Sequence, residues 1–431
     1  MPAIAVHQTE ALLFHTLLQL AIIVLAGRIG SAVAIRVGQV AAVGEIVIGI
    51  LLGPSCLGLV MPEFFHFTFL SSSPEPLQML SQLGLILLMF QIGLEFDFSH
   101  LSESRNRTAV FRVAGLSLVL PFALGLALGL VSAPTLSPQS NPVGSALFVA
   151  TAFSITALPI LGRILIDFSM TRTRLGVIAI SAAAIIDVIG WLLLALVTTL
   201  TIANFDAGSF GLKVLLVIGF MLGCWYVVRP ILKWMVRRSA PGNGRLPSNL
   251  LGVSLAVIFL AAMATHLIGI FAIFGGFMMG VILHDEHEFV LAWKERTGQF
   301  VLVFFLPIFF AYTGLRTNIG GLDSAALWGW CGLILIFATV GKFGGAYIGA
   351  RWSGLDHAEA NVLGILMNTR ALMELIIINV GLDLGVISRN MFTMLVIMAI
   401  VSTIVTTPGL NRWLPRARAQ SLADVAPSAV P

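Results

Sequence analysis

Apolar residues run along this chain in long blocks between short polar breaks. A bilayer's hydrocarbon core asks for about 20 apolar residues per spanning helix. Hydropathy and breakers predict thirteen spans, near 11–26, 43–60, 77–95, 109–132, 143–166, 175–200, 210–232, 249–266, 268–284, 298–315, 325–350, 359–382 and 391–411. The connecting loops are short and hold no soluble domain. The expected fold is an all-α polytopic membrane protein, a single integral unit over 1–418. It divides into a first repeat about 11–200, a linker helix about 210–232 and a second repeat about 249–411. Residues 419–431, rich in Ala, Pro and Ser, are expected to be a short disordered tail.

Composition supports this class. Of the 431 residues, 58% are hydrophobic and 10% charged, with a mean hydropathy of +1.00. A soluble chain would carry about 25% charged residues. That excludes a secreted, nuclear or cytosolic globular protein. The formal charge of +4 does not point to nucleic acid, because the basic residues sit in inter-helix loops. Loops after odd-numbered spans hold Arg28, Arg36, Arg105, Arg107, Arg112, Arg172, Arg174, Arg229, Lys233, Arg237, Arg238, Arg245, Lys294, Arg296 and Arg351, and the tail adds Arg412, Arg416 and Arg418. The opposite loops hold little beyond Lys213, Arg316 and Arg389. This asymmetry predicts the N-terminus outside and the C-terminus in the cytoplasm. The N-terminus lacks a signal-peptide pattern, so its first apolar run is expected to stay as a helix. Cys56, Cys224 and Cys331 lie far apart and suggest neither a disulfide frame nor a zinc site.

Two spans are interrupted. The fifth, ATAFSITALPILGRIL, carries Thr151, Ser154, Thr156 and Pro159; the twelfth, ILMNTRALMELIIINVG, carries Asn368, Thr369, Arg370 and Glu374. Each is the fifth of its half if the halves are spans 1–6 and 8–13, and seven spans separate them, so equivalent helices would run in opposite directions. Broken helices at matching places in inverted halves point to a secondary-transporter binding site.

Asp187 lies halfway along the sixth span, where a carboxylate costs at least about 2.5–3.5 kcal/mol. It is expected to face protein or a water-filled cavity, where it can exchange a proton for a hard cation. The bland alternative is a packing carboxylate tied to a hydroxyl. Lys342 is the only lysine deep inside a span: a counter-charge or second titratable group on one reading, a snorkelling side chain on the other. Arg370 and Glu374, four apart, form a fixed internal pair, or else Arg370 compensates Asp187 or helix ends and Glu374 titrates. Thr151, Ser154 and Thr156 can offer oxygens to a cation or simply back-bond within the helix. Gln91 and Glu95 read as an entrance lining or a solvated helix end, and His284 and His287 as a solvated loop rather than a metal site. No Walker A loop, HExxH or GxSxG constellation suggests an enzyme or an ATP-driven pump, and no cofactor is expected.

GQVAAVGEIVIGILLGPSCLG, LMFQIGLEFDF, TAFSITALPILGRIL, SAAAIIDVIGW, IFAIFGGFMMGVIL, FLPIFFAYTGLRTNI and NTRALMELIIINVGLDLGVIS resemble, in order, the blocks of the monovalent cation:proton antiporter-2 family. That branch of the sodium/proton exchanger superfamily includes plant cation/proton exchangers and bacterial relatives. The resemblance implies inverted repeats with two crossing broken helices, a core domain moving in an elevator-like cycle against a dimerisation domain, and a homodimer. It assigns Asp187 as the essential ion-binding aspartate (for Na⁺ or K⁺), Thr151 and its neighbours to the unwound stretch beside it, and Lys342 to the basic position opposite. Three residues depart from the family pattern: Ile186 where Asp or Asn is usual, Phe271 where His is usual, and Ala371 where Gly is common. The expectation is an antiporter exchanging Na⁺ or K⁺ for H⁺ in the cell membrane; the single aspartate favours electroneutral one-for-one exchange, and a further proton carried by Lys342 would make it electrogenic. An organic-anion carrier on the same fold and a transport-inactive ion-binding sensor are the alternatives.

Overall fold

The computed structural model describes residues 2–95, 107–171, 173–202, 207–239 and 246–425. Arg105, Arg172, Arg245 and residues 426–431 of the expected tail lie outside the described residues. Among those described, every regular element is helical. The chain opens with α1 (Pro2–Arg36), α2 (Ala41–Leu51), the short α3 (Leu57–Val60) and α4 (Pro62–Phe65), α5 (Glu75–Leu94) and α6 (Arg107–Leu136). The first interrupted span follows as α7 (Pro142–Ser154) and α8 (Leu158–Asp167). Next come α9 (Arg174–Ile202), α10 (Ala207–Gly223), α11 (Arg229–Ser239), α12 (Ser248–Ile268), α13 (Ala272–Leu283), α14 (His287–Trp293) and α15 (Leu306–Arg316). The chain continues through α16 (Ala325–Trp352), α17 (His357–Met367), α18 (Leu372–Asp383) and α19 (Arg389–Val425). The expected tail is thus helical in backbone as far as Val425.

Nine of the described helical stretches are long and apolar enough to cross a membrane, or ten with α17 and α18 taken as one span bent by 42°. The other three expected spans correspond to the shorter apolar helices α2, α7 and α13, so length and composition alone do not give thirteen.

The chain resolves into two compact units, each drawing segments from both halves of the sequence. One comprises Met1–Gly30, Glu45–Asp97 and Ala195–Arg316; the other, Ser31–Gly44, Phe98–Leu194 and Thr317–Pro431. In the first, α5 packs on α13 and α15. Gly93 and Gly280 face each other so closely that a Cβ on either would run into the other's backbone. Such small-residue contacts bring membrane helices together where hydrocarbon outside gives no hydrophobic drive.

In the second unit, α6 packs along α16 and α7, and α17 and α18 pack on α19. Gly341, Gly345 and Gly349 carry α16 against Pro121, Leu116 and Arg112 of α6. Prolines inside these helices have a second effect: each lacks the amide that would bond the carbonyl four residues back. Pro121 so releases the Ser117 carbonyl and Pro408 the Ile404 carbonyl. Side chains take up both, Lys342 at Ser117 (3.0 Å) and Gln39 at Ile404 (3.2 Å).

Candidate functional site

Every residue singled out as a candidate ion-binding or counter-charge group lies in the second unit. Its first broken helix begins cleanly, with the Asn141 side chain accepting from the amides of Val143 (2.9 Å) and Gly144 (3.2 Å) and Pro142 at the first turn. Helix α7 stops at Ser154 because the next residues are extended, with Ile155 at φ −84° and ψ 147°. Pro159 has no amide to offer the Ile155 carbonyl, so the helix cannot run through. Helix α17 starts with a reciprocal cap between Asp356 and Glu359 and ends at Met367. Between Met367 and α18, Ala371 adopts φ 98° and ψ −105°, backbone that favours glycine.

The two breaks meet. Ala157 donates its amide to the Thr369 carbonyl (3.1 Å), and the Thr156 hydroxyl donates to the Met367 carbonyl (3.2 Å). A broken helix leaves unsatisfied carbonyls at one cut end and unsatisfied amides at the other, with partial negative and positive charge respectively.

The two buried cations answer the carbonyl end of α7. Arg370 donates to the carbonyls of Ala152 (3.1 Å) and Phe153 (3.1 Å), to Ala338 on α16 (3.0 Å) and to the Glu374 carboxylate (3.3 Å). Lys342 donates to the Ser154 carbonyl as well as to Ser117. Both are wholly buried, which removes the snorkelling reading of Lys342. The two readings of Arg370 coexist, since it pairs with Glu374 and also caps a helix end. Its own amide donates to the Thr403 hydroxyl on α19 (3.2 Å).

Asp187 sits on α9 with 1% of its surface exposed, and neither carboxylate oxygen has a hydrogen-bond partner among the described residues. The packing reading, a carboxylate tied to a hydroxyl, therefore does not hold. The positive charge of Lys342 and the backbone amide of Leu158, first residue of α8, act on it electrostatically. A lone buried carboxylate facing an amide end of a broken helix can hold a proton or a hard cation, since either satisfies the bare oxygens.

The candidate hydroxyls are partly committed. Thr151 and Ser154 donate to the carbonyls of Leu147 and Ala150, both at 2.7 Å, as the bland reading had it. Their oxygens keep lone pairs that could still face a cation. No group of three or more His, Cys, Asp or Glu side chains could hold a metal among the described residues. His284 contacts the Val281 carbonyl (2.8 Å), and Glu95 pairs with Lys294 (2.9 Å). Both belong to the first unit.

Sequence reasoning missed Ser117, Ala338 and Thr403. For Ser117 a signal existed in Pro121, which predicts one free carbonyl four residues earlier. The Ala338 carbonyl and the Thr403 hydroxyl have no local signature.

Residues 20–415 match the family described as transmembrane sodium/hydrogen exchangers. The chain is 40% identical over 379 residues to the Na⁺/H⁺ antiporter NhaS4 of Synechocystis sp., covering 86% of this chain and 90% of that protein. It is 37% identical over 413 residues to cation/H⁺ antiporter 17 of Arabidopsis thaliana, covering 94% of this chain but 49% of the relative, so it spans about half the length of such plant proteins. Among solved structures, the sodium/proton antiporter MjNhaP1 of Methanocaldococcus jannaschii shares the fold. Its TM-score is 0.62 at 14% identity, over 92% of this chain and 96% of that one.

Proposed function

The chain belongs to the sodium/hydrogen exchanger family, and we propose that it exchanges a monovalent cation, Na⁺ or K⁺, for protons at Asp187. It is a multi-pass membrane transporter, not an enzyme. Relatives are named for Na⁺/H⁺ exchange, as in Synechocystis, and for K⁺/H⁺ exchange, as in yeast. The observation that carries the reading is Asp187 itself, a buried carboxylate to which no side chain is hydrogen-bonded. Occupied by a proton or by a cation, it loses its bare charge and can cross; empty, it is too costly to move through a low-dielectric path. Competition for one group couples the two flows.

Stoichiometry follows from charge. Either occupant adds a single positive charge to the same carboxylate, so one cation moves against one proton and the cycle is electroneutral. Lys342 and Arg370 are held by backbone carbonyls, Lys342 by those of Ser117 and Ser154 and Arg370 by those of Ala152 and Phe153. Thr151, Ser154 and Thr156 supply lone pairs near the break, and Glu374 balances Arg370. All these residues fall in one compact unit, which supports an elevator-like cycle in which that unit carries the ion while the other, in a homodimer, stays fixed in lipid. The loop charges support a cell-membrane orientation with the N-terminus outside and the C-terminus cytoplasmic. The organic-anion reading is weakened because Arg370, its natural anion contact, is spent on carbonyls and Glu374.

The test is exchange in liposomes with a trapped pH dye and the voltage clamped by an ionophore. Na⁺, K⁺ and Li⁺ are added in turn against a proton gradient. Wild type dequenches with at least one cation, and the rate is insensitive to the clamped voltage. Asp187→Asn inserts normally and loses the response; exchange surviving in that variant overturns the assignment.

A further inference from the structure

Among the described residues, Asp187 and Asn368 are the two side chains that each hold two buried polar atoms without a hydrogen-bond partner. For Asn368 these are Oδ1 and Nδ2, on a residue with no exposed surface. A buried amide with donor and acceptor both unmatched by protein groups is costly, so such a residue calls for a partner that comes and goes.

Its place narrows that partner. Asn368 is the first residue of the break between α17 and α18. The carbonyls on either side of it, Met367 and Thr369, accept from Thr156 and Ala157 in the other break. Leu158, whose amide acts on Asp187, is the next residue after Ala157. A short chain of contacts thus connects the two side chains with unmet polar atoms. On α9 the residues one turn from Asp187 are Ala183, Ala184, Gly190 and Trp191, whose side chains offer no oxygen, so further side-chain ligands come from other elements.

An amide carbonyl is a hard, neutral oxygen donor that suits a monovalent cation and has no use for a proton. We propose that Oδ1 of Asn368 is a ligand of the transported cation and a determinant of its preference between Na⁺ and K⁺. This rests on the antiport reading at Asp187. The amide strengthens the cation-loaded form alone and so tilts the competition with protons. Removing it weakens cation binding and moves the acid limb of the activity profile to higher pH at fixed cation concentration, since protons then displace the cation more easily.

The experiment uses the full chain in liposomes with Asn368→Ala, wild type and Asp187→Asn side by side, titrating Na⁺ and K⁺ at several pH values. Asn368→Ala is expected to raise KM for the better cation about tenfold, change the Na⁺:K⁺ preference and shift the acid limb alkaline. A lower maximal rate at unchanged KM and pH profile marks a structural role and overturns the proposal. If Asn368→Ala does not fold, Asn368→Ser is melted in detergent with NaCl, KCl or choline chloride. A cation-induced rise in melting temperature equal to wild type overturns it too. Should wild type show no exchange with any cation, the antiport reading falls and this inference falls with it. If wild type exchanges, Asp187→Asn is dead and Asn368→Ala is normal, this inference alone fails.

Discussion

The amide of Ala157 donates to the carbonyl of Thr369 across 3.1 Å, joining breaks in two helices from opposite halves of the chain. Around that bond, charge sorts by helix end. The carbonyls closing α7 receive Lys342 and Arg370, while Asp187 faces the amide that opens α8. This sorting follows the partial charges that helix dipoles place at the two cut ends.

Ala371 carries the strain of this arrangement. Its φ of 98° with ψ −105° lies where only glycine sits comfortably, and a residue held in such backbone costs on the order of 1–3 kcal/mol. Ala371→Gly relieves the Cβ clash but adds freedom to the unfolded chain, worth about 0.4–1 kcal/mol the other way. The expected result is a net gain near 1 kcal/mol, read as a higher melting temperature in detergent. Ala371→Val moves it down, because a β-branched side chain tolerates this backbone still less. A melting temperature unchanged or lower in Ala371→Gly contradicts the strain.

Arg370 serves four acceptors with one planar group. Lysine presents a single ammonium that cannot reach the same set, so Arg370→Lys is not a conservative change here. Removing one partner of a buried charged network costs about 3–5 kcal/mol. Arg370→Lys should recover only a minor part of what Arg370→Met loses. The check is the amount of folded, monodisperse protein and its melting temperature for the two variants. Full rescue by lysine would mean the guanidinium fork is not what holds α7 to α18.

Much of this was legible in the sequence, and the reasons for the rest are specific. Pro159 and the polar run from Asn368 to Glu374 announce both breaks because a membrane helix cannot carry them unbroken without compensation. Asp187 and Lys342 stand out because charge at that depth is expensive. What a line of residues cannot give is which backbone carbonyls those cations take, since a carbonyl leaves no trace in side-chain identity. Pro121 is the exception, for it frees the Ser117 oxygen that Lys342 captures. Each compact unit draws segments from both halves of the sequence, an outcome of packing that hydropathy along the chain does not encode. Thr151 and Ser154 had two readings, and the distances select the back-bonded one for their protons while leaving their lone pairs open.

In the turn after α13, outside the spans, Asp285 and Glu286 hold α11 by charge, and this sets a pH signature. Arg229 (2.9 Å) and Lys233 both bond the same Asp285 oxygen, while Glu286 pairs with Arg237 (2.9 Å) and Lys233 (3.7 Å). Burial pushes the Asp285 carboxyl up, but the hydrogen bonds and charges of Lys233 and Arg229 outweigh it and hold the group below its ordinary 3.8. A carboxyl depressed in the folded state contributes stability that is complete above the unfolded value and is lost as pH falls through the folded one. With its side chain 35% exposed, solvent screens the gain to below about 1 kcal/mol. Melting wild type and Asp285→Asn in detergent from about pH 7 to pH 3 should show a small constant deficit in the variant near neutrality. The two curves then converge on the acid side of 3.8. High salt should shrink the deficit as well, because these charges are within reach of counterions. A deficit that grows on acidification would reverse the sign of the linkage and remove Asp285 as the anchor of α11.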